Sequence, residues 1–180
     1  MSRSADVVIV GLGAMGAAAA RALSRRGLSV IGLDRFAPPH AFGSSHGDTR
    51  IIREAYFEHP SYVPLVQRAY LLWEELEREC SRPLLSRTGG MMIGPRDGEL
   101  VRGALASAEA HGLPHEVLDA EGIARRAPAF RPRAGWVGCS KVALSLIRAA
   151  SKTVMSANAP TFSTPRSVRP NLAAVSPVIL

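Results

Sequence analysis

The sequence predicts an α/β fold that opens with a strand–helix–strand (βαβ) unit. Three observations support this: a β-branched run at Val7–Val10, the pattern Gly11-Leu12-Gly13-Ala14-Met15-Gly16, and an acid, Asp34, that closes a second apolar run. In this order the features are typical of a Rossmann-type unit, in which a glycine turn leads from the first strand into the helix. The chain after this unit predicts the beginning of an α+β region.

Each glycine of the turn has a physical task. Gly11 permits the tight turn out of the strand, Gly13 lets the backbone approach a pyrophosphate, and Gly16 lets helix and strand pack closely. The alanine-rich stretch Ala17–Leu23 predicts the helix, which Gly27 can end. The free N–H groups and partial positive charge at the N-terminus of this helix favour bound phosphates.

The second strand is predicted over Leu28–Leu33, and Asp34 after it can accept hydrogen bonds from an adenosine ribose. The unit therefore predicts dinucleotide binding, with an ordinary glycine-rich turn as the alternative. A Walker A loop ends in Gly-Lys-Ser/Thr, and a kinase needs a lysine on a following strand. The only lysines are Lys141 and Lys152, which disfavours nucleoside triphosphate chemistry.

A polar loop follows the unit. The paired prolines Pro38 and Pro39 predict an extended exit, and Gly43–Asp48 predicts a surface turn. Arg50 and Arg53 lie three residues apart in the basic and apolar run after it. They would share one face of a helix but lie on opposite faces of a strand, so the spacing leaves open whether they converge.

The next elements predict a mixed α+β region. A helix is predicted over 60–79 because its apolar residues fall on one stripe, which we interpret as core. The residues of this stripe are Val63, Val66, Tyr70, Trp73 and Leu76. The elements predicted after it are a turn and strand over 84–94, a helix over 97–111, a strand over 113–118 and a short helix over 119–126.

The composition changes beyond Gly138. Ser, Thr, Pro, Asn and Lys become frequent there, and the only element predicted is a helix over Val142–Ala150. We expect Asn158–Leu180 to be unfolded. The predicted domains are a Rossmann-type part over 1–60, the start of the mixed region over 61–138 and an aberrant, largely disordered tail over 139–180.

The basic character of the chain belongs to residues 122–180. The net charge is +7 and the pI is near 10.4. Residues 1–121 hold fifteen acids and thirteen arginines, a net −2, whereas residues 122–180 hold no acid and nine basic residues, a net +9. A nucleic-acid-binding module would interleave aromatic residues with its basic ones, and residues 122–180 contain only Phe130, Trp136 and Phe162. No nucleic-acid partner is therefore expected.

The cysteines and histidines predict neither a disulfide scaffold nor a metal site. Cys80 and Cys139 have no paired or regular spacing, which favours free thiols in a reducing cytoplasm. The histidines show no ligand spacing with acids or cysteines, so no metal is expected. The N-terminal run fits neither a secretory signal nor a membrane span, so we expect a cytoplasmic protein with no membrane partner.

Five segments of the chain resemble one known family. They are VVIVGLGAMG, LDRFAPPH, GSSHGDTRIIREAY, YVPLVQRAYLLWEELE and RTGGMMIGP. Together they are similar to the N-terminal portion of the monomeric sarcosine oxidase and N-methyl-L-tryptophan oxidase family, over residues 6–137. The GSSHGDTRIIR segment is the most specific part, and the resemblance ends near Gly138.

The resemblance implies FAD as the cofactor, bound by a Rossmann-like unit that is followed by the start of a substrate domain. The cofactor-binding residues that it implies are Gly11, Leu12, Gly13, Ala14, Met15, Gly16, Asp34, Arg35, Ser44, Ser45 and Arg50. The catalytic residues that it implies are His46, Thr49, Arg50 and Arg53. Arg50 would lie beside the flavin ring, and Arg53 would pair with the substrate carboxylate, tasks that suit a planar guanidinium. Surface arginines at both positions, and a loop hydrogen-bonding role for His46, are the alternatives.

The resemblance also implies an activity. The enzyme would be a monomeric FAD-dependent oxidase that acts on the CH–NH group of secondary (N-methyl) amino acids, with O₂ as acceptor, and forms aldehyde, amine and hydrogen peroxide. The alternatives are an NAD-dependent Rossmann dehydrogenase and a non-catalytic fragment with a basic binding tail. Members of the family are much longer, so the fold would be incomplete. We expect a frameshift or a truncated gene model near Gly138, and little FAD on the chain as written.

Overall fold

The structure is a computed structural model and describes residues 4–37, 40–148 and 176–179. Its elements in chain order are β1 (Val7–Val10), α1 (Ala14–Ser24), β2 (Val30–Asp34), β3 (Thr49–Arg53), α2 (Tyr62–Cys80), β4 (Leu85–Arg87), β5 (Gly90–Pro95), α3 (Glu99–Ala110), β6 (Glu116–Leu118), α4 (Ala120–Arg126), β7 (Trp136–Val142), β8 (Leu144–Arg148) and β9 (Ser176–Ile179). The described residues divide into two compact units, one within 1–50, 76–82 and 148–180, the other within 51–75 and 83–147.

The first unit contains the predicted βαβ arrangement. β1 and β2 pair in parallel from Val7 opposite Val30 onward, with α1 between them in the chain. β2 begins at Val30, two residues later than predicted, and Ser29 before it is bound to Asp6, directly before β1. The Asp6 carboxylate accepts hydrogen bonds of 2.8 Å from both the backbone N–H and the hydroxyl of Ser29. The predicted α/β class and the strand–helix–strand order of this unit are confirmed.

Small side chains bring α1 close to the parallel strands. Ala17 and Ala20, on one face of α1, are only 4% and 1% exposed, and Leu12 and Val30 are buried with them. An alanine adds one methyl group to the helix surface, so this face allows a short distance between helix and sheet. The alanine-rich sequence thus determines how closely the helix N-terminus approaches the end of β1.

The second unit holds most of two three-stranded sheets, with strand orders β3-β8-β4 and β5-β7-β6. The apolar stripe of α2 is buried as predicted at Val63, Val66, Tyr70 and Leu76. The main buried cluster of this unit consists of Ala55, Val63, Met92, Ala104, Ala108, Leu113, Cys139 and Val142. None of the described helices is long and apolar enough to cross a bilayer.

The helix predicted over Val142–Ala150 is wrong. The chain continues as β7 to Val142 and then forms β8, which pairs antiparallel with β4 from Leu85 opposite Ile147. The two strands satisfy their backbone groups with neighbours that lie far away in the sequence, and such pairing overrides a weak local helical pattern. The change of composition at Gly138 therefore falls inside a strand.

One further strand corrects the prediction for the tail. Residues 176–179, within the segment expected to be unfolded, form β9, which pairs antiparallel with β2 from Ile31 opposite Ile179 to Asp34 opposite Ser176. β2 is consequently the central strand of the order β1-β2-β9. The rest of the range Asn158–Leu180 lies outside the described residues.

Candidate dinucleotide site

The glycine turn adopts a backbone that only small residues allow. Gly11 follows β1 with a φ of +92°, in the left-handed region that favours glycine. A Cβ on Gly16 would overlap the carbonyl oxygen of Gly11 and would lie 3.3 Å from the Ile9 side chain. The turn therefore places the first turn of α1 directly against the end of β1, as expected of the third glycine of such a pattern.

The carboxylate of Asp34 lies at the glycine turn. Its Oδ2 accepts a hydrogen bond of 2.6 Å from the backbone N–H of Leu12, and its Oδ1 accepts one of 3.1 Å from Phe36. Burial alone would raise the pKa of Asp34, but these bonds, together with His40, hold the pKa below its ordinary value. The side chain is 10% exposed, so a charged carboxylate stays largely buried at the mouth of the turn.

His40 is a site residue that sequence reasoning missed. Its Nε2 lies 3.2 Å from Oδ1 of Asp34, and its ring is 5.3 Å from the ring of Phe36. The sequence contained a signal for it, namely the short distance of six positions from Asp34. A search for the spacing of metal ligands does not find this pair, because the partner of the histidine is the carboxylate itself and not a metal ion.

Ser45 joins the polar loop to the glycine turn. Its hydroxyl accepts a hydrogen bond of 3.1 Å from the N–H of Ala14, the first residue of α1, and lies 3.3 Å from the place of a Cβ on Gly13. The next N–H of the first turn, that of Met15, has no intrahelical acceptor. The side chain of Met15 is 86% exposed.

The side chain of Leu12 has a packing role. It is 3% exposed and covers Gly32 in β2, where an added Cβ would lie 2.7 Å from a methyl group of Leu12. Gly32 was not selected from the sequence, although it sits on the strand that the turn covers. Only the backbone of Leu12 is thus directed at Asp34.

Arg50 is bound to its own loop. Its guanidinium donates hydrogen bonds of 2.7 Å to the carbonyl of Thr49 and 3.0 Å to that of Ser44, and a further one to the carbonyl of His46. The Nδ1 of His46 lies 2.8 Å from the carbonyl of Gly43, which fixes the proton of the neutral ring on Nδ1 and leaves Nε2 as an acceptor. Thr49, Ser44 and His46 are exposed.

Arg53 lies in the second unit beside aromatic rings. The spacing of Arg50 and Arg53 left open whether they share one face. Because β3 is a strand, residues 50 and 53 fall on opposite faces of it. The Arg53 guanidinium lies 5.5 Å from the ring centre of Tyr56 and 5.6 Å from that of Phe57. The carboxylate of Glu58 is 3.9 Å away, beyond hydrogen-bonding distance, so the donors of Arg53 can reach another acid.

The remaining candidate, Arg35, follows β2 and lies 5.4 Å from the ring centre of Phe36. The structure therefore brings together the glycine turn, Asp34 and Ser45 in the first unit, with Arg35 directly after β2 and Arg50 in β3. Such a set can hold a diphosphate at the N-terminus of α1 and a ribose at Asp34. Within the described residues, no group of three or more His, Cys, Asp or Glu side chains could hold a metal ion.

Comparison with known protein families gives a match over most of the chain. The profile of the family described as FAD dependent oxidoreductase matches residues 6–154. The chain belongs to this family. The match runs beyond Gly138, so the expected end of the resemblance at that residue is wrong, in agreement with the continuous strands β7 and β8.

Individual members of the family resemble the chain closely. Monomeric sarcosine oxidase from Streptomyces avermitilis is 48% identical over 148 residues, and N-methyl-L-tryptophan oxidase from Escherichia coli O1:K1 / APEC is 45% identical over 134 residues. These alignments cover 82% and 74% of this chain but 38% and 36% of the two enzymes. The chain thus spans somewhat over a third of the length of these relatives.

A solved structure shows the same fold. The open form of NikD, described as an unusual amino acid oxidase essential for nikkomycin biosynthesis, matches with a TM-score of 0.72 at 26% sequence identity. The match covers 87% of this chain and 42% of that chain. The fold of the described residues of this family member therefore corresponds to that of a portion of an amino acid oxidase.

Proposed function

We propose that the protein is a FAD-dependent oxidase that acts on the CH–NH group of secondary, N-methylated amino acids and forms aldehyde, amine and hydrogen peroxide. The observation that carries this proposal is the family match over residues 6–154, with 48% identity to a monomeric sarcosine oxidase. We further propose that it works as a cytoplasmic monomer. The thiols of Cys80 and Cys139, both free, are consistent with a reducing compartment.

The residues present fit the ADP half of FAD. The overlap between a Cβ on Gly16 and the Gly11 carbonyl shows that the turn is built for close approach of backbone to backbone. The N–H groups of the first turn of α1 would hold the diphosphate, and Asp34 would accept a hydrogen bond from the ribose. When bound, FAD supplies the acceptor for the electrons of the substrate.

The polar loop would serve the flavin half. Ser44, Ser45 and His46 lie on this loop, and Thr49 begins β3 directly after it. Arg50 fixes the shape of the loop through three carbonyl groups. A guanidinium held in this way keeps its positive charge at a set position, which favours a neighbouring group that becomes negative on reduction. We therefore assign Arg50 to the flavin side of the site.

Arg53 would bind the substrate carboxylate. Its guanidinium is flanked by Tyr56 and Phe57, and Glu58 does not engage it at hydrogen-bonding distance. A bidentate bond to a carboxylate would orient the N-methyl group of an amino acid, and a neutral amine without the carboxylate would be held poorly. This role supports amino acids as the substrate class.

The test is a set of titrations of the 180-residue chain with FAD and NAD⁺, followed by peroxide measurement with FAD present. We expect FAD to bind more tightly than NAD⁺, since only FAD carries the flavin that the loop would contact. Any peroxide formed by this partial chain should require FAD and should appear with sarcosine or N-methyl-L-tryptophan but not with methylamine. Tighter binding of NAD⁺, or NAD⁺ reduction by these amines, would contradict the proposal in favour of a dehydrogenase.

A further inference from the structure

The imidazole of His40 is bound at both ring nitrogens. The backbone N–H of Phe42 donates to Nδ1 at 3.2 Å, and Nε2 lies 3.2 Å from Oδ1 of Asp34. Because Nδ1 is occupied as an acceptor, the proton of the neutral ring must be on Nε2. The Nε2–H group therefore donates to Asp34, and the tautomer of His40 follows from this geometry.

Two aromatic rings fix the plane of the imidazole. Phe36 meets it edge-on, with ring centres 5.3 Å apart and planes at 66°, and Phe42 lies with its ring centre 6.0 Å away. The two phenylalanine rings are themselves 4.3 Å apart. The His40 side chain is 16% exposed, so its donor has little freedom to turn away from Asp34.

The acceptor positions of the Asp34 carboxylate can be counted. Each carboxylate oxygen offers about two lone-pair positions. On Oδ1, both are used, by His40 and by the N–H of Phe36 at 3.1 Å. On Oδ2, one is used, by the N–H of Leu12 at 2.6 Å, and the other has no partner among the described residues. This other position is at the glycine turn, where a ribose would lie.

We propose that His40 is a positioning residue that saturates Oδ1 of Asp34 and so presents Oδ2 as the acceptor for one ribose hydroxyl of an adenine nucleotide. The inference rests on the proposed function, because it requires the nucleotide to bind at the glycine turn. Its consequence is selectivity: the site distinguishes a nucleotide that has the ribose hydroxyls from one that lacks them. Without the His40 donor, the carboxylate can rotate and the distinction weakens.

The test compares the affinities of ADP and 2′,3′-dideoxy-ADP by calorimetry on the full chain. We expect wild type to bind ADP about tenfold or more tightly than 2′,3′-dideoxy-ADP, because the analogue loses a hydrogen bond to a charged group. The variant His40→Phe keeps a ring beside Phe36 and Phe42 but removes the donor, and should reduce the preference to about twofold or less. His40→Gln, which keeps an N–H donor, should restore part of it, and His59→Phe on the second unit is the matched control.

The outcomes separate the two proposals. If wild type does not bind ADP, the proposed site at the glycine turn is wrong and this inference falls with it. If wild type binds ADP but shows no preference for it over 2′,3′-dideoxy-ADP, only the inference is overturned. The same conclusion follows if His40→Phe keeps the full preference or lowers the affinity for both nucleotides equally. Nitrogen NMR of the ligand-free chain at mildly alkaline pH gives an independent test: the proton of His40 is expected on Nε2, and a proton on Nδ1 overturns the proposal.

Discussion

Oδ2 of Asp34 accepts a hydrogen bond of 2.6 Å from the backbone N–H of Leu12, which joins the end of β2 to the turn after β1.

Asp34→Ala would leave this N–H and that of Phe36 without their acceptor. We expect a loss of about 1–3 kcal/mol in the free energy of unfolding, the cost of unpaired buried donors, measured by urea denaturation. Asp48→Ala, at an exposed loop position, is the control. Equal stability of the two variants would contradict this role of Asp34.

Gly16 is expected to be intolerant of a single methyl group. A Cβ there overlaps the Gly11 carbonyl, so Gly16→Ala must displace the helix from the strand, and overpacking of this kind costs about 1–3 kcal/mol or more. The matched control is Gly43→Ala, where the added Cβ would lie 3.7 Å from His40, an ordinary contact. Thermal unfolding of both variants checks this, and a Gly16→Ala protein as stable as Gly43→Ala would refute the packing described for the turn.

Arg50 is expected to order the loop between Ser44 and Thr49. Its fork-shaped guanidinium reaches three carbonyl groups, whereas a lysine ammonium on a flexible stem cannot hold the same three at once. Arg50→Lys should therefore raise the amide hydrogen-exchange rate at His46 by several fold, measured by mass spectrometry or NMR. Arg26→Lys, in the exposed turn that follows α1, should leave the exchange rate at His46 unchanged. Unaltered exchange in Arg50→Lys would show that the loop keeps its order without the guanidinium.

The stability of the first unit should depend on pH through Asp6. Hydrogen bonds from the backbone N–H of Ser29, and then from its hydroxyl, lower the pKa of Asp6 below its ordinary value. A lowered pKa means that the charged carboxylate stabilises the folded chain above the ordinary aspartate range, and that this contribution disappears as the pH falls through the lowered pKa. Unfolding of wild type and Asp6→Asn should thus differ near neutral pH and converge in acid. A constant difference at all pH values would exclude this titration.

The two thiols should differ in reactivity. Cys139 is fully buried in β7, and burial raises its pKa, so little thiolate forms and reagents have no access. Cys80, at the end of α2, is partly exposed. A thiol reagent should label Cys80 in the folded chain well before Cys139, and denaturant should remove the difference. Faster labelling of Cys139 in the native chain would contradict its burial.

The glycine turn was predictable because its requirements are local. The carbonyl of Gly11 and the space at Gly16 follow from the path of the backbone over a few residues, so the residue types alone indicate the turn. The same holds for the stripe of α2, since helical periodicity places Val63 and Val66 on one face whatever they pack against. Such features depend on near neighbours in the sequence.

The errors lie where distant segments meet. Val142 and Leu144 belong to strands that pair with β5 and β4, which lie about forty to sixty positions earlier in the chain, and no local pattern indicates that pairing. His40 was missed for a related reason: its role depends on a hydrogen bond to Asp34 and on the ring of Phe42, and neither is a spacing rule. The change of composition beyond Gly138 likewise describes amino-acid usage and not pairing, so it did not indicate that β7 and β8 continue through that point.

The central claim is that the glycine turn and Asp34 bind the ADP half of FAD, and a displacement titration tests it most directly. The full chain is titrated with FAD while flavin fluorescence is followed, and ADP is then added. Little FAD is expected on the chain as isolated, but the account predicts that added FAD binds saturably, one per chain, and that ADP displaces it completely, with Asp34→Ala weakening both ligands. Absence of saturable binding, or FAD that ADP does not displace, would contradict it.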